Sequence, residues 1–372
     1  MKSTLGNKNL VTVLQQAIQN NRKSAISFYD FMNLCLYHEE YGYYRSSAIK
    51  IGPEGDFYTS SSIGTIMGET LADYVVKTWD TQYEKIVPLT IVEWGGGNGR
   101  LAVHLLDQLQ RISSELYGEI RYIMIESSPY HQQLQVEALR HHANQVSWMT
   151  EDAWHKSPAQ GLTIHLANEL LDAFAVHRIR YKGEQFEENW VSWDAAQEEF
   201  IEQWYPLENV DIRAYLEEEG IKLFEGQIAE VNLDSKQWIA RLAQQLERGQ
   251  LIAIDYGDVA EEIYAQHRML GTLMCYRKHQ ALDAPYDYVG EQDITAHVNF
   301  TACKHAAEHA GLHVDKLVTQ RQFLVDQGIL GKLQDTFGLD PFSAAAKRNR
   351  AIRQLLISDN MSELFKVFIA HK

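Results

Sequence analysis

The chain has 372 residues, 45% of them hydrophobic and 11% aromatic, and this composition excludes an intrinsically disordered protein. Its 34 basic and 50 acidic residues give a formal net charge of −16, which argues against non-specific binding to nucleic acid and tolerates a cationic partner. No apolar run approaches the roughly 18 residues that span a membrane, and the first residues show neither a signal-peptide core nor an arginine-rich transit pattern.

The N-terminal part is predicted to be helical and to carry one polar loop. Residues 8–36 have apolar positions one helical turn apart, and an aromatic run, LYHEEYGYY, follows at 36–44. The loop IGPEGDFYTSSSIG at 51–64 has glycines and a proline that mark turns, and residues 66–79 return to a helical pattern. We therefore assign an N-terminal helical region with a lid loop to residues 1–85.

Strands and helices alternate from residue 89 onward. Apolar strands are predicted at 90–94, 119–127, 145–152, 251–257 and at the start of 162–174. This alternation predicts an α/β fold with a mostly parallel sheet and helices on both faces, forming a core at 86–330. A glutamate-rich stretch at about 184–230 interrupts this alternation of strands and helices. We interpret it as an inserted acidic lobe with a solvated face. Residues 331–372 are predicted to be a helical C-terminal extension.

The first predicted strand leads into a glycine-rich turn, IVEWGGGNGR. Gly95 and Gly97 occupy the first two positions of a dinucleotide fingerprint, but its third glycine would fall on Arg100. No Gly-Lys-Ser/Thr follows, so a P-loop is excluded as well. The spacing is E-x-G-x-G-x-G from Glu93 to Gly99, and alternate glycines let a ligand approach the backbone at the carboxyl edge of the sheet.

Acidic residues near the strand ends indicate which ligand this turn holds. A carboxylate at Glu93 would repel a phosphate and attract a cation, and S-adenosylmethionine carries a sulfonium and an ammonium but no phosphate. Glu126, which ends the second strand, is placed to accept hydrogen bonds from both ribose hydroxyls. Glu151 or Asp152, ending the third strand, is placed to meet the adenine amino group. A structural turn would explain the glycines alone, but the whole set predicts S-adenosylmethionine as the cofactor.

Several motifs resemble those of the MidA family of S-adenosylmethionine-dependent methyltransferases. In chain order they are IGPEGDFYTS, VEWGGGNG, YIMIESSP, LANELLDAFAVHR, IDYG, GTLMCYRKH, DITAHVNF and QRQFLVDQGI, and the resemblance covers roughly residues 27–330. It implies a class I methyltransferase sheet with extra N-terminal and inserted elements, and the mitochondrial members methylate an arginine of a respiratory complex I subunit. Ser61 and Ser62 stand where the family usually has Pro-Glu, and Asn299 replaces an acid, so the cofactor motifs match better than the flanking ones.

The motif LANELLDAF ends the fourth predicted strand, beside the position expected for the transferred methyl group. Asn168, Glu169 and Asp172 are its polar residues and our candidate catalytic groups. If Glu169 opens a helical turn, Asp172 lies on the same face, and the two carboxylates would hold a guanidinium, localise its charge and accept its proton. The alternative is that either acid caps a following helix. Asp255, which ends another strand together with Tyr256, is a third acidic candidate.

The loop at 51–64 is a candidate lid over the cofactor. Asp56, Thr59 and Ser60 offer hydrogen-bonding groups there, although a surface turn would show the same residues. The tyrosines of the aromatic run are predicted to pack the N-terminal helices on the core, with a substrate groove as the alternative.

Metal and disulfide chemistry are not predicted. The three cysteines are far apart and form no CxxC pair, which fits a reducing compartment such as the cytoplasm. The histidines lack the spacing of a ligand set, so no metal site is expected.

The leading prediction is a protein arginine methyltransferase. A small-molecule O- or N-methyltransferase is one alternative, because the same cofactor core supports it. A non-enzymatic assembly factor that binds S-adenosylmethionine and a protein partner is the other. Neither nucleic acid nor a membrane is an expected partner.

Overall fold

The computed structural model describes residues 4–45, 64–336, 340–357 and 363–372. The helices are α1 (Lys8–Asn20), α2 (Phe28–Tyr37), α3 (Ile66–Thr81), α4 (Arg100–Ile112), α5 (Ser114–Glu119), α6 (Pro129–Ala138), α7 (Glu151–Lys156), α8 (Val210–Glu218), α9 (Leu233–Gln245), α10 (Ala260–Ile263), α11 (Phe300–His309), α12 (Gln320–Asp326) and α13 (Ala344–Ile357), with 3₁₀ turns at Tyr43–Arg45, Arg140–His142 and Ile329–Lys332. The strands are β1 (Ile26–Ser27), β2 (Thr90–Trp94), β3 (Arg121–Ile125), β4 (Val146–Met149), β5 (Leu162–Asn168), β6 (His177–Lys182), β7 (Gln185–Asp194), β8 (Glu199–Pro206), β9 (Ile228–Val231), β10 (Arg248–Asp258), β11 (Met274–Arg277), β12 (Gln280–Leu282), β13 (Asp293–Thr295), β14 (Val298–Asn299), β15 (His313–Thr319) and β16 (Phe365–His371).

The central sheet is mostly parallel, as predicted. Its order is β4-β3-β2-β5-β10-β16-β15, and the short β14 extends it beside the end of β10. The strands from β4 to β10 are parallel, whereas β16 is antiparallel to both of its neighbours. The chain order reverses between β2 and β5, and in open α/β sheets ligands bind at the carboxyl ends of the strands beside such a reversal.

Alternating side chains of β2 show how the sheet is covered on both faces. All five residues of this strand are buried. Ile91 packs in the cluster that contains Leu71 of α3 and Leu105 of α4. Val92 packs on the other face, in the cluster that contains Trp238 of α9. Helices therefore cover both faces, which confirms the predicted fold class.

The inserted region forms most of a second sheet. This antiparallel sheet has the order β1-β7-β6-β9, with β8 paired to β7. Its strand β1 comes from the N-terminal region, with Ile26 opposite Val191. Phe28 and Phe31 of α2 share a buried cluster with Val191 and Phe200. The N-terminal region and the insertion therefore form one packed unit beside the central sheet.

The C-terminal residues depart from the helical prediction for 331–372. α13 is helical, but β16 lies in the central sheet and pairs with residues 250–256 of β10. Phe365, Val367 and Ile369 pack on one face of the sheet and Phe368 on the other. Because both faces are buried, the strand has no apolar–polar alternation that would distinguish it from a buried helix. No helix in the described ranges is long and apolar enough to cross a bilayer.

Candidate active site

A cavity lies at the carboxyl ends of β2, β3 and β5. It encloses about 970 Å³, including its open mouth. Among the described residues, its walls are the glycine turn after β2, the turns after β3 and β5, the first turns of α4 and α6, and two tyrosines from the N-terminal region. The lining residues are Tyr37, Tyr44, Glu93, Gly95, Gly96, Gly97, Asn98, Leu101, Glu126, Ser127, Ser128, His131, Asn168, Glu169, Leu170 and Ala173. The structure thus brings together six of the twelve predicted cofactor and catalytic residues, namely Glu93, Gly95, Gly97, Glu126, Asn168 and Glu169.

The glycine turn has the backbone that the spacing predicted. Gly95, Gly97 and Gly99 have φ values of 64°, 53° and 79°, in the left-handed region that favours glycine. A Cβ on Gly95 would also lie 2.8 Å from Leu170 Cδ1 in the turn after β5. Gly99 does not line the cavity. It precedes α4, and a Cβ there would lie 3.3 Å from Gln135.

Gly96 is a cavity residue that the sequence pattern did not single out. A Cβ at this position would lie 2.4 Å from Met124 Cε and 3.1 Å from Glu93 Cδ. The turn therefore runs against the Glu93 carboxyl with no room for a side chain. Only the run of three consecutive glycines in the sequence pointed to such a close approach.

Glu93 is a buried acid at the floor of the cavity, and only 2% of it is exposed. The Tyr122 hydroxyl donates a 2.7 Å hydrogen bond to its Oε2. Burial raises the pKa of Glu93 to about 7; the Tyr122 bond lowers it and the charge of Glu126 raises it. The group is therefore poised to ionise near neutral pH, and a cation bound in the cavity would favour the ionised form.

Glu126 is held rigidly at the end of β3. Its Oε1 accepts the backbone N–H of Ser128 at 2.7 Å, and its Oε2 accepts Gln135 Nε2 at 3.2 Å. Burial raises the pKa of Glu126, while these two hydrogen bonds lower it. A carboxylate fixed in this way can accept hydrogen bonds from vicinal hydroxyls, which fits the predicted role at a ribose.

Asp152 is not brought to the cavity. We predicted that it ends a strand, but β4 ends at Met149 and Thr150 caps the next helix by accepting the N–H of Ala153. Asp152 therefore lies exposed in the first turn of α7. Asp56, Thr59 and Ser60, the predicted lid residues, lie outside the described residues.

The turn after β5 is not helical, so the predicted helical spacing of Glu169 and Asp172 is wrong, as is the helix-cap alternative. Glu169 has φ 54°, an uncommon left-handed conformation for a residue with a side chain, and its N–H donates to Ile254 O at 2.8 Å. Asn168 Nδ2 donates to Glu169 Oε1 at 3.1 Å. Both side chains line the cavity, and the next regular element is β6.

Asp255 gives the turn its shape. Its Oδ2 accepts the backbone N–H groups of Leu170, Leu171 and Asp172 at 3.1, 2.7 and 3.3 Å, and its Oδ1 accepts that of Tyr256 at 2.8 Å. The third acidic candidate is therefore an anchor beneath the turn after β5. Burial raises the pKa of Asp255, and these backbone bonds lower it.

Asp172 lies just behind the cavity wall, and only 6% of it is exposed. Burial raises its pKa well above the usual range, and the charges of Asp255, Asp293 and Glu169 raise it further. Asp293 begins β13, a strand for which we had predicted no functional role, and the backbone N–H of Ala296 donates to Asp172 O at 3.0 Å. Residues far apart in the chain thus create a strongly acidic environment at this end of the cavity.

Tyr37 and Tyr44 complete the wall. We had favoured a packing role for the aromatic run, and Tyr43 fills that role with 3% exposure, but Tyr37 and Tyr44 face the cavity. The Tyr37 hydroxyl donates to Ala173 O at 2.7 Å, and the Tyr44 hydroxyl donates to Asp293 Oδ1 at 2.8 Å. Among the described residues, no group of histidine, cysteine and acidic side chains could hold a metal ion.

Comparisons with known proteins show the family of the chain. A family of S-adenosyl-L-methionine-dependent methyltransferases matches residues 70–318. The chain is 28% identical over 318 residues to the mitochondrial protein arginine methyltransferase NDUFAF7 homologue of Drosophila melanogaster, covering 79% of this chain and 70% of that protein. It is 24% identical over 365 residues to the mitochondrial protein arginine methyltransferase NDUFAF7 of Danio rerio, covering 92% and 82%.

A solved structure supports the cofactor. A protein from Burkholderia thailandensis, crystallised with bound S-adenosyl-homocysteine, superimposes with a TM-score of 0.86 at 28% identity, covering 98% of this chain and 92% of that one. The close backbone turn at Gly96 and the carboxylates of Glu93 and Glu126 fit a ligand with a cationic methionine part and a ribose. The chain belongs to this family of S-adenosylmethionine-dependent methyltransferases, as its resemblance to the MidA family predicted, and its cofactor is S-adenosylmethionine.

Proposed function

We propose that this methyltransferase modifies an arginine nitrogen of a protein substrate. The relatives named as protein arginine methyltransferases support the acceptor, and one structural observation carries it: the buried Asp172 beside the cofactor cavity. The cytoplasmic location stays a prediction, because these relatives are named as mitochondrial.

The electrostatics of Asp172 favour a cationic acceptor. It is packed near Asp255, and within the described ranges neither carboxyl has an ion-pair partner. Two like charges in a buried site disfavour each other's ionisation, and a cation bound beside them relieves both. A neutral hydroxyl acceptor would leave this environment uncompensated. The arrangement therefore suits a guanidinium better than a sugar or alcohol.

The acids of the turn after β5 can also accept the proton that methyl transfer releases. S-adenosylmethionine supplies an electrophilic methyl group on a sulfonium sulfur. When the acceptor nitrogen takes that methyl, the sulfur–carbon bond breaks with its electron pair left on sulfur, and the nitrogen must release one proton. Glu169 lines the cavity and can accept hydrogen bonds from the guanidinium edge. A cation bound beside Asp172 lowers its raised pKa and favours its ionised form, and that carboxylate can then accept the released proton.

The experiment uses the purified chain, S-adenosylmethionine with a labelled methyl group, and lysate of the source cell. Labelled protein is hydrolysed, and methylated arginine is the expected product. Asp172→Asn should bind S-adenosyl-homocysteine normally and lose most transfer, while Asp326→Asn, a change at an exposed acid on α12, should retain it. Label found only on a small-molecule hydroxyl or carboxyl would reject the arginine acceptor. Cofactor binding without any transfer would favour the assembly factor.

A further inference from the structure

Two stacked tyrosines from the N-terminal region form one part of the cavity wall. The rings of Tyr37 and Tyr44 have centroids 5.5 Å apart and planes inclined by 22°. Both hydroxyls are already engaged, with Ala173 O and with Asp293 Oδ1. The rings are therefore fixed, and what they offer the cavity is mainly aromatic surface.

Two hydrogen bonds tie this Tyr37–Tyr44 stack to the acidic end of the cavity. Ala173 belongs to the same turn after β5 as Glu169, so the hydrogen bond from Tyr37 ties the stack to that turn. The charge of Asp172 reaches both rings and raises the pKa of both hydroxyls, after the larger effect of burial and the charge of Asp293. Aromatic faces and carboxylates thus border one space.

We propose that the Tyr37–Tyr44 stack positions the acceptor and selects a guanidinium over an ammonium, an inference that rests on the proposed function. A guanidinium is planar and weakly hydrated, so its face can lie on an aromatic ring while its edge N–H groups meet carboxylates. A lysine ammonium is compact and strongly hydrated and presents no such face. A cation–π contact of this kind changes affinity by about 5- to 30-fold.

The test measures selectivity directly. Methyl transfer to lysate protein is assayed with the full chain in the presence of methylguanidinium chloride or methylammonium chloride as competitors. The wild-type protein should be inhibited at a concentration of methylguanidinium at least about fivefold lower than that of methylammonium. Tyr44→Leu, which removes a ring, should bring this ratio close to one, whereas Tyr44→Phe should keep most of it.

Two further measurements separate positioning from a structural effect. The affinity for S-adenosyl-homocysteine, measured by calorimetry, should change little in Tyr44→Leu, because the stack is assigned to the acceptor. Tyr41→Leu is the matched control, because Tyr41 stacks on His38 and does not line the cavity. The ratio of the two inhibitory concentrations in this variant should match that of the wild type.

Several outcomes would overturn the inference. Equal inhibition by the two competitors in the wild-type protein would do so without any variant, even if Tyr44→Leu failed to fold. An unchanged ratio of the two inhibitory concentrations in folded Tyr44→Leu would also overturn it. A parallel loss of S-adenosyl-homocysteine binding would do the same, because the stack would then contact the cofactor rather than the acceptor. Methylated arginine in the product with no preference for methylguanidinium would refute only the role of the stack. Label on another acceptor would refute the proposed function itself.

Discussion

The buried acid Glu93 makes a quantitative prediction about cofactor binding and pH. Its pKa is raised to about 7, so in the free protein it is largely protonated at pH 6 and largely ionised at pH 8. If the cationic cofactor binds the ionised form, the apparent dissociation constant is the intrinsic one divided by the ionised fraction. That fraction rises from about one tenth to about nine tenths between these pH values, so affinity should rise about tenfold.

Calorimetry with S-adenosyl-homocysteine measures this dependence. The titrations run from pH 5.5 to pH 8.5, about 1.5 units either side of the pKa. Binding should release a proton below pH 7, seen as heat that varies with the ionisation enthalpy of the buffer. Adenosine, which lacks the ammonium, should show little slope. Glu93→Gln should flatten the curve, and Tyr122→Phe should move its midpoint to higher pH, because the Tyr122 bond lowers the pKa of Glu93. A wild-type slope that persists in Glu93→Gln would refute the assignment.

Four other variants test the rest of the site. Gly97→Val puts a β-branched residue at φ 53° and should abolish binding of S-adenosyl-homocysteine in a folded protein, as seen by calorimetry. Glu126→Gln loses a charged hydrogen-bond acceptor, so the same assay should show an affinity lower by about tenfold or more. Asp172→Asn should gain thermal stability over the wild type as pH rises, because the raised pKa of Asp172 means that its ionisation destabilises the folded state. Asp255→Ala leaves four backbone N–H groups without their acceptor and should lower the free energy of unfolding by several kcal/mol in urea titrations, at about 1–3 kcal/mol for each buried group left unpaired.

Local sequence patterns were enough to predict that Glu93, the glycine turn and Glu126 lie together at the carboxyl edge of the sheet. Glu93, the glycine turn and Glu126 each follow directly from a buried strand and its end, and parallel strands bring those ends together. Asp152 does not end a strand, also for a local reason: Thr150 caps a helix one residue after the strand ends, so the acids begin a helix. Strand boundaries are set by such caps as much as by apolar runs.

The acidic end of the cavity depends on contacts that no local pattern predicts. The hydrogen bond from Tyr44 to Asp293 joins residues 249 positions apart, and the one from Tyr37 to Ala173 joins residues 136 positions apart. β16 was missed for a related reason, because its identity as a strand comes from its pairing with β10 and not from alternation.

The turn after β5, which carries Glu169 and Asp172, combines features that oppose folding with features that stabilise it. Burying Asp172 near Asp255, and holding Glu169 at φ 54°, both oppose folding of the free protein. The four backbone hydrogen bonds to Asp255 offset part of this cost and keep the turn in one shape before any ligand arrives. A cationic acceptor would then relieve the repulsion between these carboxylates without first reorganising the turn. Destabilisation of the free enzyme and recognition of a positively charged acceptor are therefore two consequences of the same carboxylates.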